Sequence, residues 1–185
     1  MVRSALITLA TALTLLVAAR AFAGASSPPP LRTVAKVDLS RYLGKWYEIA
    51  RLPNRFQTGC TGSSALYTLR QDGAIEVVNS CRNDKDGSLR QVKGRAWTVD
   101  PASNARLKVS FFWPFRGDYW IIELGEQYEY AVVAAPDLKY LWILSRSATM
   151  SDQLYTELLS RVERHGFEVR KIIKEKPGDQ GSGES

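Results

Sequence analysis

Turn-forming residues recur at short intervals through the middle of the chain, and that spacing limits the fold more than any other feature. Asp72-Gly73, Asp86-Gly87, the run from Asp100 to Asn104, Pro114 to Gly117, Gly125 to Gln127 and Ala135 to Asp137 separate stretches rich in β-branched and aromatic residues. Glycine and asparagine accept positive φ and proline fixes φ, so these clusters turn the chain at hairpin lengths. The stretches between them predict strands near 45–52, 62–71, 74–83, 90–100, 105–114, 117–125, 128–135 and 139–146. Eight strands with short connections make an antiparallel meander, and closing it into a barrel removes the exposed edges. The expected fold is therefore all-β: an eight-stranded antiparallel up-and-down barrel.

One segment breaks the pattern. Between Thr149 and Phe167, Leu154, Leu158 and Val162 form one apolar stripe with Tyr155 and Leu159 beside it, which predicts an amphipathic helix lying outside the barrel. Ser151 or Thr149 can cap its start and Gly166 can end it. A final short strand is expected in Phe167–Lys174.

The ends have a different character. Arg3, a mostly apolar run from Ala5 to Ala19, and Ala21-Phe22-Ala23 read as a secretory signal peptide, residues 1–23. A flexible leader (24–36), a barrel domain (37–175) and a disordered tail (176–185) complete the expected organisation. No cysteine lies near the expected cut, so the chain lacks the thiol that carries a bacterial lipoprotein's lipid, and a soluble periplasmic or secreted protein is expected. Removing Arg3 and Arg20 lowers the formal charge from +6 to +4. Basic residues interleave with acids, which argues against nucleic acid and leaves contact with an anionic membrane surface open. Cys60 and Cys81 are the chain's two cysteines; in an exported protein they are most simply one disulfide, the alternative being a free thiol inside a cavity.

Facing positions can be assigned from assumed turns. If Gly125–Gln127 pairs Leu124 with Tyr128, Trp120 meets Val132; if the next turn pairs Ala134 with Tyr140, Val132 meets Trp142. One face would then carry Trp120, Val132 and Trp142, with Leu107, Val109, Phe111 and Trp113 on the face of the preceding strand. Ala65, Gly94 and Ala96 leave space on other strands. The interior therefore reads as an aromatic-lined cavity for one small ligand, with a solid core as the alternative.

Three motifs in order resemble the lipocalin family: Gly44, Trp46 and Tyr47 as G-x-W-Y, Asp118-Tyr119 within Gly117–Trp120, and Arg146 closing the eighth strand. Longer phrases, such as Tyr42–Phe56 and Tyr140–Arg146, are similar to the outer-membrane and apolipoprotein D-like branch. Arg146 can stack its guanidinium on the Trp46 indole and donate to nearby carbonyls, plugging the barrel floor. The resemblance implies binding and transport of a small hydrophobic ligand, such as a fatty acid or lysophospholipid, with a part in envelope maintenance. By position, Tyr67, Asn79, Phe111, Trp120, Tyr130 and Trp142 would line the cavity, with Tyr67 and Asn79 reaching a polar head group. Cys60 matches a disulfide position of that branch.

Catalytic chemistry finds little support. His165 is the single histidine and falls at a helix end, so no nucleophile–histidine arrangement can be assembled. No metal-ligand spacing, phosphate-binding glycine loop or inward carboxylate pair is predicted, and no cofactor or metal is expected. The rival readings are a lipid-converting enzyme with a cavity thiol and a filled barrel serving as an interaction module. The partner is a small hydrophobic ligand, and the chain is expected as a monomer or homodimer.

Overall fold

The computed structural model describes residues 30–175; the signal peptide and the tail beyond residue 175 lie outside them. A short helix α1 (Leu39–Tyr42) leads into eight antiparallel strands: β1 (Gly44–Arg51), β2 (Cys60–Leu69), β3 (Ile75–Asn83), β4 (Leu89–Thr98), β5 (Arg106–Ser110), β6 (Gly117–Leu124), β7 (Tyr130–Ala134) and β8 (Leu141–Ser145). Each strand pairs with the next, and β1 pairs with both β2 and β8, so the barrel is closed. Helix α2 (Asp152–Arg164) and a two-residue strand β9 (Ile173–Lys174) follow. The Gly73 and Gly87 turns take φ of +78° and +70°, a region costly for a side chain with a Cβ.

The register around β6, β7 and β8 differs from the expected one. Residues 125–130 form a longer turn, closed by the Gly125 N–H donating to the Tyr130 carbonyl, with Tyr128 at φ +61°. Leu124 consequently pairs with Ala131, and a bulge between Ile121 and Glu123 sets Trp120 against Ala134. On the other side Val133, not Val132, opposes Trp142. A one-residue slip exchanges the faces of a strand. Trp142 and Val133 therefore point into the barrel while Trp120, Tyr130 and Val132 point out.

Strand β9 completes the wall where β1 and β2 diverge. The β1–β2 pairing runs from Gly44 with Tyr67 to Tyr47 with Ser64, and further along β1 Ala50 and Arg51 pair with Lys174 and Ile173. The expected eight-residue final strand is reduced to these two residues because Val169–Lys171 winds into a 3-10 turn. Cys60 and Cys81 form a disulfide. Their approach depends on an irregularity between Thr61 and Ser64, where Gly62 has φ +59°; beyond it Cys60 pairs with Asn83.

Two apolar clusters flank the sheet. The inner one lies inside the barrel; the outer one lies between the strands and α2, where Leu158 and Val162 are fully buried in one cluster with Ile143, Leu141 and Val132. Ser151 caps α2 by accepting from the Leu154 N–H, and Gly166 ends it at φ +94°. The leader expected to stay loose through residue 36 is packed from Leu31 onward. Leu31 joins the outer cluster, and the Val34 N–H donates to the Ile121 carbonyl at 3.0 Å. An apolar residue every third position, at 31, 34 and 37, gave this segment surface to bury.

Candidate functional site

One end of the barrel is shut. Trp46 is fully buried, its Nε1–H donates to the Tyr42 carbonyl at 2.8 Å, and the Arg146 guanidinium lies 3.8 Å from the ring centroid. Arg146 also donates to the carbonyls of Lys45 (2.8 Å), Arg41 (2.7 Å), Tyr42 (3.2 Å) and Tyr128 (3.3 Å). One rigid fork thus ties α1, β1, and the β6–β7 turn to the end of β8. Gly44 precedes Lys45 at φ +91°, a backbone conformation costly for a residue with a Cβ.

Above this floor three tyrosines meet. The Tyr119 hydroxyl bonds with those of Tyr42 at 2.8 Å and Tyr67 at 2.9 Å. Burial pushes the Tyr67 phenol up to about 12 and those of Tyr42 and Tyr119 well above their ordinary value, so the trio is neutral at any physiological pH. With Ile75, Val77, Ala96, Leu107 and Val109 they surround a void of about 10 Å³, room for about one water molecule. Around this void the closed half of the barrel is packed by buried side chains.

The open half is different in exposure and chemistry. Asn79 pairs with Ala65 and Val92, placing all three on the inner face. Asn79, Val92, Phe111 and Trp142 are only half-buried although they face inward, whereas Ile75, Val77, Ala96 and Leu107 below them are buried. Phe111 lies across Gly94, where a Cβ would come within 2.6 Å of its ring; the volume expected from that glycine is taken by Phe111.

A polar belt separates the halves on the β1 side. Glu48 accepts from Arg51 at 2.8 Å and from the Gln57 Nε2 at 2.6 Å, and the Gln57 Oε1 accepts from the Trp142 indole N–H at 2.8 Å. Arg51 also pairs with Glu175, whose second oxygen accepts from the Gly62 N–H at 3.1 Å. An inward carboxylate is thus present where none was expected. Glu48 follows Trp46 at the inward parity of β1, and a shift in the β1–β8 register between Glu48 and Ala50 turns Arg51 inward beside it.

Comparison with known proteins agrees with this architecture. A lipocalin-like domain profile matches residues 37–177. The chain is a lipocalin. It is 46% identical over 151 residues to outer membrane lipoprotein Blc of Escherichia coli K12, covering 80% of this chain and 85% of that protein. Temperature-induced lipocalin-1 of Arabidopsis thaliana is 36% identical over 158 residues, covering 80% and 84%. Apolipoprotein D of Bos taurus is 32% identical over 153 residues, covering 78% of each. Insecticyanin from Manduca sexta shares the fold at a TM-score of 0.65 and 21% identity, covering 81% of this chain and 86% of that one.

Lipocalins bind small hydrophobic ligands and are typically binding proteins. With both cysteines in the disulfide, neither supplies the thiol that the enzyme alternative needs. The expectation of a soluble periplasmic or secreted protein is overturned, because the bacterial relatives are named outer membrane lipoproteins. That expectation rested on one missing cysteine, and the lack of one attachment chemistry does not exclude others.

Of the residues expected to line a cavity, Tyr67, Asn79, Phe111 and Trp142 face inward in this lipocalin, and Trp120 and Tyr130 do not. Trp120 lies under the Arg106 guanidinium at 4.7 Å on the outer face. The Tyr130 hydroxyl accepts from Arg161 of α2 at 3.2 Å. Tyr67 sits at the floor with its hydroxyl engaged by Tyr119, too deep to meet a head group at the mouth. Tyr47 points outward beneath Lys45, 4.6 Å from its ring centroid. His165 bonds with Glu123 at 3.0 Å, next to Arg161 on the same carboxylate, and this outer-face network fastens α2 to β6.

The belt gives the stability a pH dependence. Burial pushes Glu48 up to about 7, against the partial opposition of Arg51 and Gln57. An unfolded glutamate titrates at about 4.3, so between those values the folded protein holds the proton more tightly. This contribution is fully present below the unfolded pKa and is lost as pH rises through about 7. Urea denaturation from pH 4 to 8 is expected to show that decline, and Glu48→Gln to flatten it.

Proposed function

We propose that this lipocalin carries one single-chain lipid, a fatty acid or lysophospholipid, in the open half of its barrel, with a part in maintaining the cell envelope. The observation that carries the reading is the gradient of burial along the inner wall. Inward residues at the closed end are buried, while Asn79, Val92, Phe111 and Trp142 near the mouth are not. On this reading these half-buried residues wall a shallow cup above the tyrosines. Its wall combines apolar side chains with the belt of Glu48, Arg51 and Gln57, and on this reading the Asn79 amide meets the head group.

A shallow cup sets the affinity scale. Burying a methylene contributes about 0.8 kcal/mol, so some ten buried methylenes give roughly 8 kcal/mol, micromolar binding before ordering costs are subtracted. The named relatives at the outer membrane support a lipid of the envelope as the cargo. A filled barrel that carries nothing is the second reading, favoured by the void of only about 10 Å³ in the closed half.

Titration with lysophosphatidylcholine and with oleate, followed by tryptophan fluorescence, separates the two. Saturable quenching is expected, mostly lost in Trp142→Phe. Val92→Trp, which fills the cup from β4, should abolish binding without lowering the melting temperature. No saturable change with either lipid would favour the filled barrel.

A further inference from the structure

The loop between β5 and β6 displays three aromatic rings to solvent: Phe112, Trp113 and Phe115 are 70%, 79% and 76% exposed. Its backbone is nevertheless held in place. The Phe115 N–H donates to the Phe112 carbonyl at 2.8 Å, the Ser110 hydroxyl donates to the Phe115 carbonyl at 2.6 Å, and Lys108 pairs with Asp118 at 2.7 Å across its base. Phe111 anchors it from inside by lying across Gly94. The rings are therefore presented by an ordered turn, and clustered exposed apolar surface of this kind marks a site of interaction.

Neighbouring loops extend the same surface. The strand directions bring the Arg55–Gln57 turn and the β3–β4 hairpin to this end of the barrel, with Phe56 62% and Leu89 61% exposed. Arg116 lies 5.9 Å from the Trp113 ring centroid and Arg55 5.2 Å from that of Phe56. In the four loops of this end Arg55, Lys85, Arg116 and Lys139 stand against Asp84, Asp86 and Asp137, and the adjoining strand ends add Arg82 and Arg90 against Asp118.

We propose that this end of the barrel docks on an anionic phospholipid bilayer. Phe112, Trp113 and Phe115 enter the boundary between head groups and acyl chains, and Arg55 and Arg116 meet the phosphates. Aromatic rings with adjacent cations suit that boundary, where a ring buries its body and an anionic surface attracts the charge. A second copy of this chain is disfavoured as the occupant, because two such ends placed together would oppose their excess cations. Docking also turns the cup mouth toward the bilayer, so a lipid passes between membrane and barrel without crossing water. That last step rests on the carrier reading; the docking itself does not.

Flotation with vesicles of phosphatidylcholine, with and without phosphatidylglycerol, tests the proposal. The protein is expected to float with the anionic vesicles and to be released as salt rises. The triple variant Phe112→Ser, Trp113→Ser, Phe115→Ser should bind at least about tenfold more weakly at an unchanged melting temperature. Vesicles with brominated acyl chains should quench the wild-type tryptophan fluorescence, and Trp113→Phe should lose most of that quenching. Val92→Trp should dock normally, so a failure of the carrier reading stays distinguishable from a failure of docking. Vesicle binding unchanged in the triple variant would overturn the proposal. So would an absence of binding together with a concentration-dependent dimer that the triple variant loses.

Discussion

Replacing Trp46 by alanine is expected to cost about 3–5 kcal/mol of stability, the range for truncating a fully buried aromatic. The indole does three things at once. It fills the closed end beside Tyr42, 5.0 Å away between ring centroids, donates to the Tyr42 carbonyl, and receives the Arg146 guanidinium on its face. Alanine abolishes all three, and β1 and β8 lose the ring that anchors their shared guanidinium. Trp46→Phe keeps a ring for Arg146 but not the hydrogen bond, and should recover more than half of the loss. Urea denaturation monitored by circular dichroism measures both. A loss below about 1 kcal/mol for alanine, the level of an average substitution, would mean that the closed end is not held together as described.

Removing the disulfide is expected to have the next largest effect. Cys60 and Cys81 are 21 positions apart, and opening a loop of that size costs about 3 kcal/mol in the chain-entropy model. The paired substitution Cys60→Ser, Cys81→Ser should lower stability by that amount, and reducing agent should reproduce it in the wild type. Because the bond crosses from β2 to β3 near the mouth, Trp46 at the far end should remain unperturbed and the fold should persist. Identical urea midpoints with and without reductant would contradict this.

How far the fold could be read from the chain depended on where the turns announce themselves. Asp72-Gly73 and Asp86-Gly87 place the positive φ on glycine, and the strands around them are close to their expected positions. The β6–β7 turn places it on Tyr128 and the β7–β8 turn on Leu138, residues that give no sign of a left-handed conformation. Register is therefore not legible where these three strands align, and Trp120 lies on the face opposite to the expected one. Trp46 and Arg146 were legible because stacking and a bidentate fork require these two residue types. The belt of Glu48, Arg51, Gln57 and Glu175 was not, since its members come from distant segments and a carboxylate in a strand usually faces water. Its one local signal was the parity of Glu48 with Trp46.

We propose that the open half of the barrel holds a lipid above a packed closed half. Native mass spectrometry of the protein incubated with a series of lysophospholipids tests it most directly, since it counts lipids per barrel and reports monomer or dimer in the same spectrum. One lipid per barrel is expected in the wild type, with retention reduced for longer chains that the shallow cup cannot enclose, and none in Val92→Trp. A wild-type spectrum without bound lipid, or equal occupancy in Val92→Trp, would contradict it.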